Sequence, residues 1–270
     1  MVASRRTVRA AARRRRGRRG AAIATVSTFV VIGGMIAIIV TSPGWDEVKQ
    51  TFFSWPDFKR SFPAVLSGFW LDVKLFCIVE VVVLALGLVI ALVRTSRAAA
   101  LFPLRLLAVV FTDVLRGVPT ILLIFLIGFG VPALGLAGVP TNAVVLGAAA
   151  LALSYSAYVA EVYRAGIRSV HPSQRAAALS LGLTEAQALR HVILPQAVRR
   201  VVPPLLNDFV ALQKDVALVS ILGPLEAFRQ AQIDASANFN YTPLLAAAAL
   251  YLCVTVPLAR VVDRLQERQS

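Results

Sequence analysis

Residues 21–42 read AAIATVSTFVVIGGMIAIIVTS. A helix of about 22 apolar residues is roughly 33 Å long, enough to cross the hydrocarbon core of a bilayer. Five more stretches of this kind follow, at about 64–93, 106–130, 142–163, 201–222 and 243–262, the second of these interrupted by Arg-Gly-Val-Pro-Thr at 116–120. Composition agrees: 58% of residues are hydrophobic, 16% are charged and the mean hydropathy is +0.74. A soluble domain is nearer half apolar and a quarter charged. The expected fold is therefore an all-α integral membrane protein with six transmembrane helices. A cleaved signal peptide is the alternative for the first stretch. Its apolar part would be about 7–15 residues, shorter than this one, so a retained anchor is favoured.

The net charge of +14 is unevenly placed. Residues 1–20 hold Arg5, Arg6, Arg9, Arg13 to Arg16, Arg18 and Arg19, a basic arm of the kind that is usually disordered. Cations in short loops mark the cytoplasmic side. With the arm cytoplasmic, the loops bearing Arg94, Arg97 and Arg105, and Arg164, Arg168, Arg175, Arg190, Arg199 and Arg200, are cytoplasmic as well. The opposite side receives few cations and holds Asp46, Glu47, Glu226 and Asp234, and the C-terminus with Arg264 and Arg268 returns inside. Both termini are thus expected in the cytoplasm. The arm, an additional helix at 21–42 and a membrane domain at 62–265 are the expected divisions. Cys77 and Cys253 lie in apolar runs and are expected to pack in the interior.

The stretch at 201–222 is unusual in carrying Asn207, Asp208, Gln213, Lys214 and Asp215. A central Asp or Lys costs about 2.5–3.5 kcal/mol to insert. Three facing lipid would be prohibitive, so partners are expected. Asn207 with Lys214, and Asp208 with Asp215, are seven apart and return to nearly one helical face. Lys214 is expected to pair with Asp215 of its own chain, or with Glu161 or Asp208 across the bundle or a subunit interface. Ser154, Tyr158 and Glu161 form a second polar face at i, i+4 and i+7, and Glu80 interrupts the stretch at 64–93. Such groups either line a solute path or fix the bundle by interhelix hydrogen bonds.

The longest cytoplasmic connection, about 166–200, contains HPSQRAAALSLGLTEAQALRHVILP. Pro172 and Ser173 suit a helix start, and Gly182 suits a left-handed stop. Thr184 with Gln187 makes a capping box for a second short helix, and Pro195 disfavours helical geometry at Leu194 and so marks a corner. A DNA-reading motif would need a third helix to close its core, and about 36 residues anchored at both ends leave no room for one. No nucleic-acid partner is expected. His171 and His191 lack companions at metal spacing, so no metal site is expected. A phosphate-binding loop ends in Gly-Lys-Ser/Thr, whereas Lys49, Lys59, Lys74 and Lys214 precede Gln, Arg, Leu and Asp.

This connection resembles the cytoplasmic signature loop of permease subunits in binding-protein-dependent ABC importers, which runs Glu-Ala-Ala, then Gly, then Ile close to Leu-Pro. Ala177, Ala178, Gly182, Ile193, Leu194 and Pro195 carry the likeness, and Ala176 stands where the family has Glu. RGVPTILLIFLIGFGVP, YVAEVYRAGIRSV and ILPQAVRRVVPPLLNDFVALQKDVALVSILG are similar to the polar-amino-acid branch. The resemblance implies the ABC importer permease fold in a bacterial cytoplasmic membrane. It implies that Ala176, Ala177, Ala178, Gly182, Leu183, Ile193, Leu194 and Pro195 couple to a cytoplasmic ATPase dimer. ATP and Mg would reside on that ATPase, with no cofactor in this chain. Further implied partners are an extracytoplasmic solute-binding protein, a second permease subunit, identical or different, and membrane lipid. Tyr158, Glu161, Asn207, Gln213, Lys214 and Asp215 would then line the translocation path for an amino acid or similar polar solute. The alternatives are an ion-coupled secondary transporter and an importer of the same build for another small solute.

Overall fold

The computed structural model describes residues 23–96 and 98–267. The arginine arm, Arg97 and Arg268 lie outside the described residues. Every regular element among the described residues is helical. The chain divides into two units, residues 1–54 and 55–270. In the first, α1 (Ile23–Val40) is exposed along its length and is apolar enough to cross a membrane. The short amphipathic α2 (Trp45–Phe52) follows, with Asp46 and Glu47 in its first turn, where the helix dipole favours negative charge.

The second unit is built around two long helices. α3 (Trp55–Thr95) has 41 residues, roughly 60 Å of helix and so longer than a bilayer core is thick. α7 (Ala143–Ser169) packs along it and is the central helix, touching α4, α5 and α10 as well. Close packing there rests on small residues, as it does in membrane bundles generally. Gly87 of α3 lies against Val159, and Gly166 of α7 lies against Val201, so that a methyl group at either glycine would overlap the facing valine. Leu75, Val79 and Val83 of α3 close the main core with Leu151, Tyr155 and Val159 of α7 and with Leu212, Val216 and Val219.

Between these helices run α4 (Phe102–Gly117) and α5 (Thr120–Phe125), the latter continued through a π turn at Leu126–Gly130 into α6 (Val131–Ala133). The two helical runs meet at an angle of 107°. Val118 and Pro119 are extended there, because proline cannot donate to a helix and its ring forces the preceding residue out of helical geometry. The sequence break at 116–120 is thus a sharp bend. After α7 come α8 (Pro172–Ser180), α9 (Glu185–Ala188) and α10 (Leu194–Asp215), then a 3-10 segment, Val216–Leu222. α11 (Ala227–Asn238) and α12 (Thr242–Glu267) complete the unit and join α3 in a smaller core of Val65, Phe69, Ala227, Ala231 and Ala247.

Among the described residues, four helices are long and apolar enough to cross a membrane, or five with the bent pair taken as one. α10, which covers most of the expected span at 201–222, is not among them, since its 22 residues include Arg199, Arg200, Asp208, Lys214 and Asp215. Cys77 and Cys253 correct the expectation of interior packing: both lie on the outer surface. In a membrane protein an apolar run marks contact with lipid as readily as burial in protein.

Candidate coupling loop and polar pathway

The segment joining α7 to α10 is a compact helical hairpin whose closures can be named atom by atom. His171 caps α8 by accepting Ser173 N–H, with Pro172 inside the first turn. At the other end Gly182 N–H bonds Leu179 C=O at 3.0 Å and Leu183 N–H bonds Ala178 C=O at 3.2 Å. This is a Schellman closure, and it requires the left-handed φ of +83° that Gly182 adopts. Thr184 then caps α9 with Gln187 in a reciprocal capping box. Arg175 of α8 grips Glu185 of α9 through two bonds of 2.9 and 2.6 Å, fastening the hairpin across its mouth.

Pro195 does not make the expected corner. Leu194 is helical, with φ −61° and ψ −44°. The turn before it, Leu189–Ile193, is a π turn, so the chain is already wound wider where the proline's missing N–H and its ring would disturb an α-helix. α9, the π turn and α10 consequently form one unbroken helical run. Ala178 is buried, Leu183 and Ile193 are half-buried, and Ala176, Ala177, Gly182, Leu194 and Pro195 face outward. Between them Leu181, which sequence reasoning passed over, is 84% exposed at the joint of the two short helices.

The polar stripe on α10 is divided. Pairs seven apart keep one face, as helical periodicity requires, but the two pairs meet different surroundings. Asn207 and Lys214 are exposed, and Asn207 Oδ1 lies 3.4 Å from Gln266 Nε2 of α12. Asp208 and Asp215 turn inward; Asp215 accepts the Tyr155 hydroxyl of α7 at 2.7 Å, while Asp208 Oδ2 is buried without a hydrogen-bond partner. Gln213 is buried and accepts from Thr255 of α12 at 2.6 Å. Within this chain none of the expected Lys214 pairs is formed: among the described residues it has no ion pair. Neighbouring residues on a helix point about 100° apart, so Lys214 cannot follow Asp215 inward.

Glu161 is held instead by two arginines. Arg94 Nη1 of α3 reaches Glu161 Oε2 at 3.1 Å and also donates to Thr112 of α4 at 2.7 Å, while Arg164, one turn along α7, grips both carboxylate oxygens. Ser154 is buried and bonds Thr120 of α5 at 2.9 Å. Tyr158 is more open, with the Arg116 guanidinium 5.7 Å from its ring. Tyr158 and Glu161, with Arg116, Arg200 and Pro204, line a cleft of about 320 Å³ between α4, α7 and α10. The sequence signal for Tyr155 was available: a buried tyrosine hydroxyl needs a partner, and an uncompensated aspartate stood on α10. For Arg94, charge pattern alone suggested a loop cation.

Comparison with known proteins decides what this arrangement belongs to. Residues 84–270 match the family described as binding-protein-dependent transport system inner membrane component. The chain belongs to this family. A probable amino-acid permease protein, YxeN of Bacillus subtilis, is 34% identical over 219 residues, covering 80% of this chain and 96% of its own. The glutamine transport system permease protein GlnP of Escherichia coli is 31% identical over 220 residues, covering 81% and 98%. A crystal structure of an amino acid ABC transporter with histidines superimposes with a TM-score of 0.71 at 35% identity, covering 80% of this chain and 98% of that one. Inward-facing MetNI methionine ABC transporter, at 18% identity and a TM-score of 0.57, shares the fold. The chain is thus a multi-pass inner-membrane permease component with the ABC importer permease fold. In this permease α9, the second arm of the hairpin, runs without a break into the polar helix α10.

Proposed function

We propose that this permease forms the membrane path of an ATP-driven importer for an amino acid. The observation that carries the reading is that α9, fastened to α8 by the Arg175–Glu185 pair, runs unbroken into α10, the helix that bears Asn207, Gln213, Lys214 and Asp215. A push on the outward face formed by Ala176, Ala177, Leu181, Gly182, Leu194 and Pro195 would be passed along that run to the polar side chains. The names of the relatives, and the histidine-bearing neighbour, support an amino-acid cargo.

In this reading α10 with its 3-10 extension is a sixth span, tolerated in the membrane because Gln213 and Asp215 are bonded to α12 and α7 rather than facing lipid. The hairpin and both termini lie in the cytoplasm, as the arginine distribution supports. The arm at 1–20 would meet anionic lipid, at about 1 kcal/mol per cation near the surface. ATP and Mg belong to a separate ATPase dimer seated on the hairpin. A solute-binding protein delivers cargo from outside, and a second permease subunit completes the path. Lys214 and Asn207, exposed on this chain, face that path, and the Tyr158–Glu161 cleft opens at its inner end.

A secondary transporter is the competing reading, favoured only by the partnerless Asp208 Oδ2. Reconstitution of the permease with its ATPase and binding protein in proteoliposomes separates the two. Uptake is expected to require ATP inside and to be unchanged when ionophores abolish proton and sodium gradients. Lys214→Ala is expected to fold with stability within about 0.5 kcal/mol of the parent, being an exposed substitution, yet to transport poorly. Gradient-driven uptake without ATP overturns the reading, and wild-type transport by Lys214→Ala removes that residue from the path.

A further inference from the structure

One group of ionisable side chains lies apart from both the hairpin and α10. Asp72 of α3 is 2% exposed and Glu226, which caps α11, is fully buried. Tyr251 of α12 stands between them, donating to Asp72 Oδ2 at 2.7 Å and lying 3.4 Å from Glu226 Oε2. Asp72 Oδ2 also accepts Ala227 N–H at 3.3 Å. Glu226 accepts Phe228 N–H at 2.8 Å and Arg229 N–H at 2.6 Å. Asp72 Oδ1 is buried and has no partner. Among the described residues no ion pair reaches either carboxyl. The guanidinium of Arg229 turns away to Gln232 at 2.7 Å.

Two adjacent carboxylates in an apolar core cannot both ionise without a compensating cation. The hydrogen bonds assign the single charge. Glu226 holds two N–H groups in the first turn of a twelve-residue helix, where the dipole favours an anion. Both donors to Asp72 reach Oδ2, so a charge spread onto Oδ1 would be uncompensated, and neutralising Asp72 there removes the larger desolvation cost. Tyr251 has one proton to give and gives it to Asp72.

We propose that the Asp72–Glu226 pair binds one proton at neutral pH, carried on Asp72 Oδ1, and that this proton keeps α11 seated against α3 and α12. The backbone leaves little room for the pair to separate. A β-carbon on Gly68 of α3 would stand 2.5 Å from the Glu226 carbonyl carbon, so α11 is pressed directly onto α3 at this point. Loss of the proton would set two anions against each other, and relief would require α11 to move.

Infrared spectra and amide hydrogen exchange of the purified permease test this together. The wild type is expected to show a protonated-carboxyl stretching band that shifts in D2O and disappears in Asp72→Asn. The amide replaces a protonated acid of the same shape, so this variant is expected to keep the amides of Ala227, Phe228 and Arg229 protected at alkaline pH. In the wild type, the band and that protection are expected to fade over one pH range, a measurement that needs no variant. Absence of the band in the wild type, its survival in Asp72→Asn, or amide protection indifferent to alkaline pH overturns the proposal.

Discussion

Gly182→Val is expected to give a permease that inserts and folds but no longer couples ATP hydrolysis to transport. The left-handed φ of +83° is strained for a β-branched residue, at about 1–2 kcal/mol. Within the chain that is the whole penalty, since a β-carbon at Gly182 meets nothing within 4 Å. Global stability should therefore fall by about that amount and no more. The distorted hairpin and the added isopropyl group would act on whatever covers the outward face. Solute-stimulated ATP turnover in the reconstituted complex should fall at least tenfold, the equivalent of about 1.4 kcal/mol. Ala176→Glu restores the residue usual in the family and is expected to be tolerated. Normal coupling in Gly182→Val would show that this joint does not transmit force.

Glu161→Ala should instead be a stability defect. Its carboxylate compensates Arg94, whose side chain is 12% exposed, and Arg164 as well. Removing one partner of a largely buried ion pair costs about 3–5 kcal/mol, because the remaining charge stays buried. Denaturation in detergent should show a loss near the lower end of that range, because Arg164 is nearer the surface. Replacing both partners, Arg94→Met with Glu161→Leu, should recover most of it. Wild-type stability in Glu161→Ala together with lost transport would return Glu161 to the translocation path as its main role.

The contrast between these residues shows what a sequence makes legible. Features set by local chemistry were readable: the interruption at 116–120, the capping box at Thr184 and the left-handed stop at Gly182 each follow from residues within one turn. Periodicity also put Asn207 with Lys214 and Asp208 with Asp215 correctly. It could not say what each face meets. Asp215 finds Tyr155 sixty residues earlier, and Glu161 finds Arg94 sixty-seven residues earlier. Such partners are fixed by how α3, α7 and α10 pack, and packing leaves no local signature in a chain whose helices are apolar on most sides. The same ambiguity hid the outward placement of Cys77 and Cys253. Pro195 failed as a corner because a neighbouring π turn, which no residue type announces, absorbed the disruption.

The central claim is that the hairpin joint is the surface on which the ATPase acts. Leu181, 84% exposed at that joint, is the place to measure it. In a permease with Cys77 and Cys253 replaced, a single cysteine at Leu181 should cross-link to the ATPase in membranes, and the yield should change when ATP is added. A single cysteine at Leu136 should not cross-link to it, because the α6–α7 connection near Pro132 to Pro140 carries no cation and is expected on the side opposite the arginine-bearing loops. No cross-link from Leu181, or one from Leu136 alone, would contradict the account.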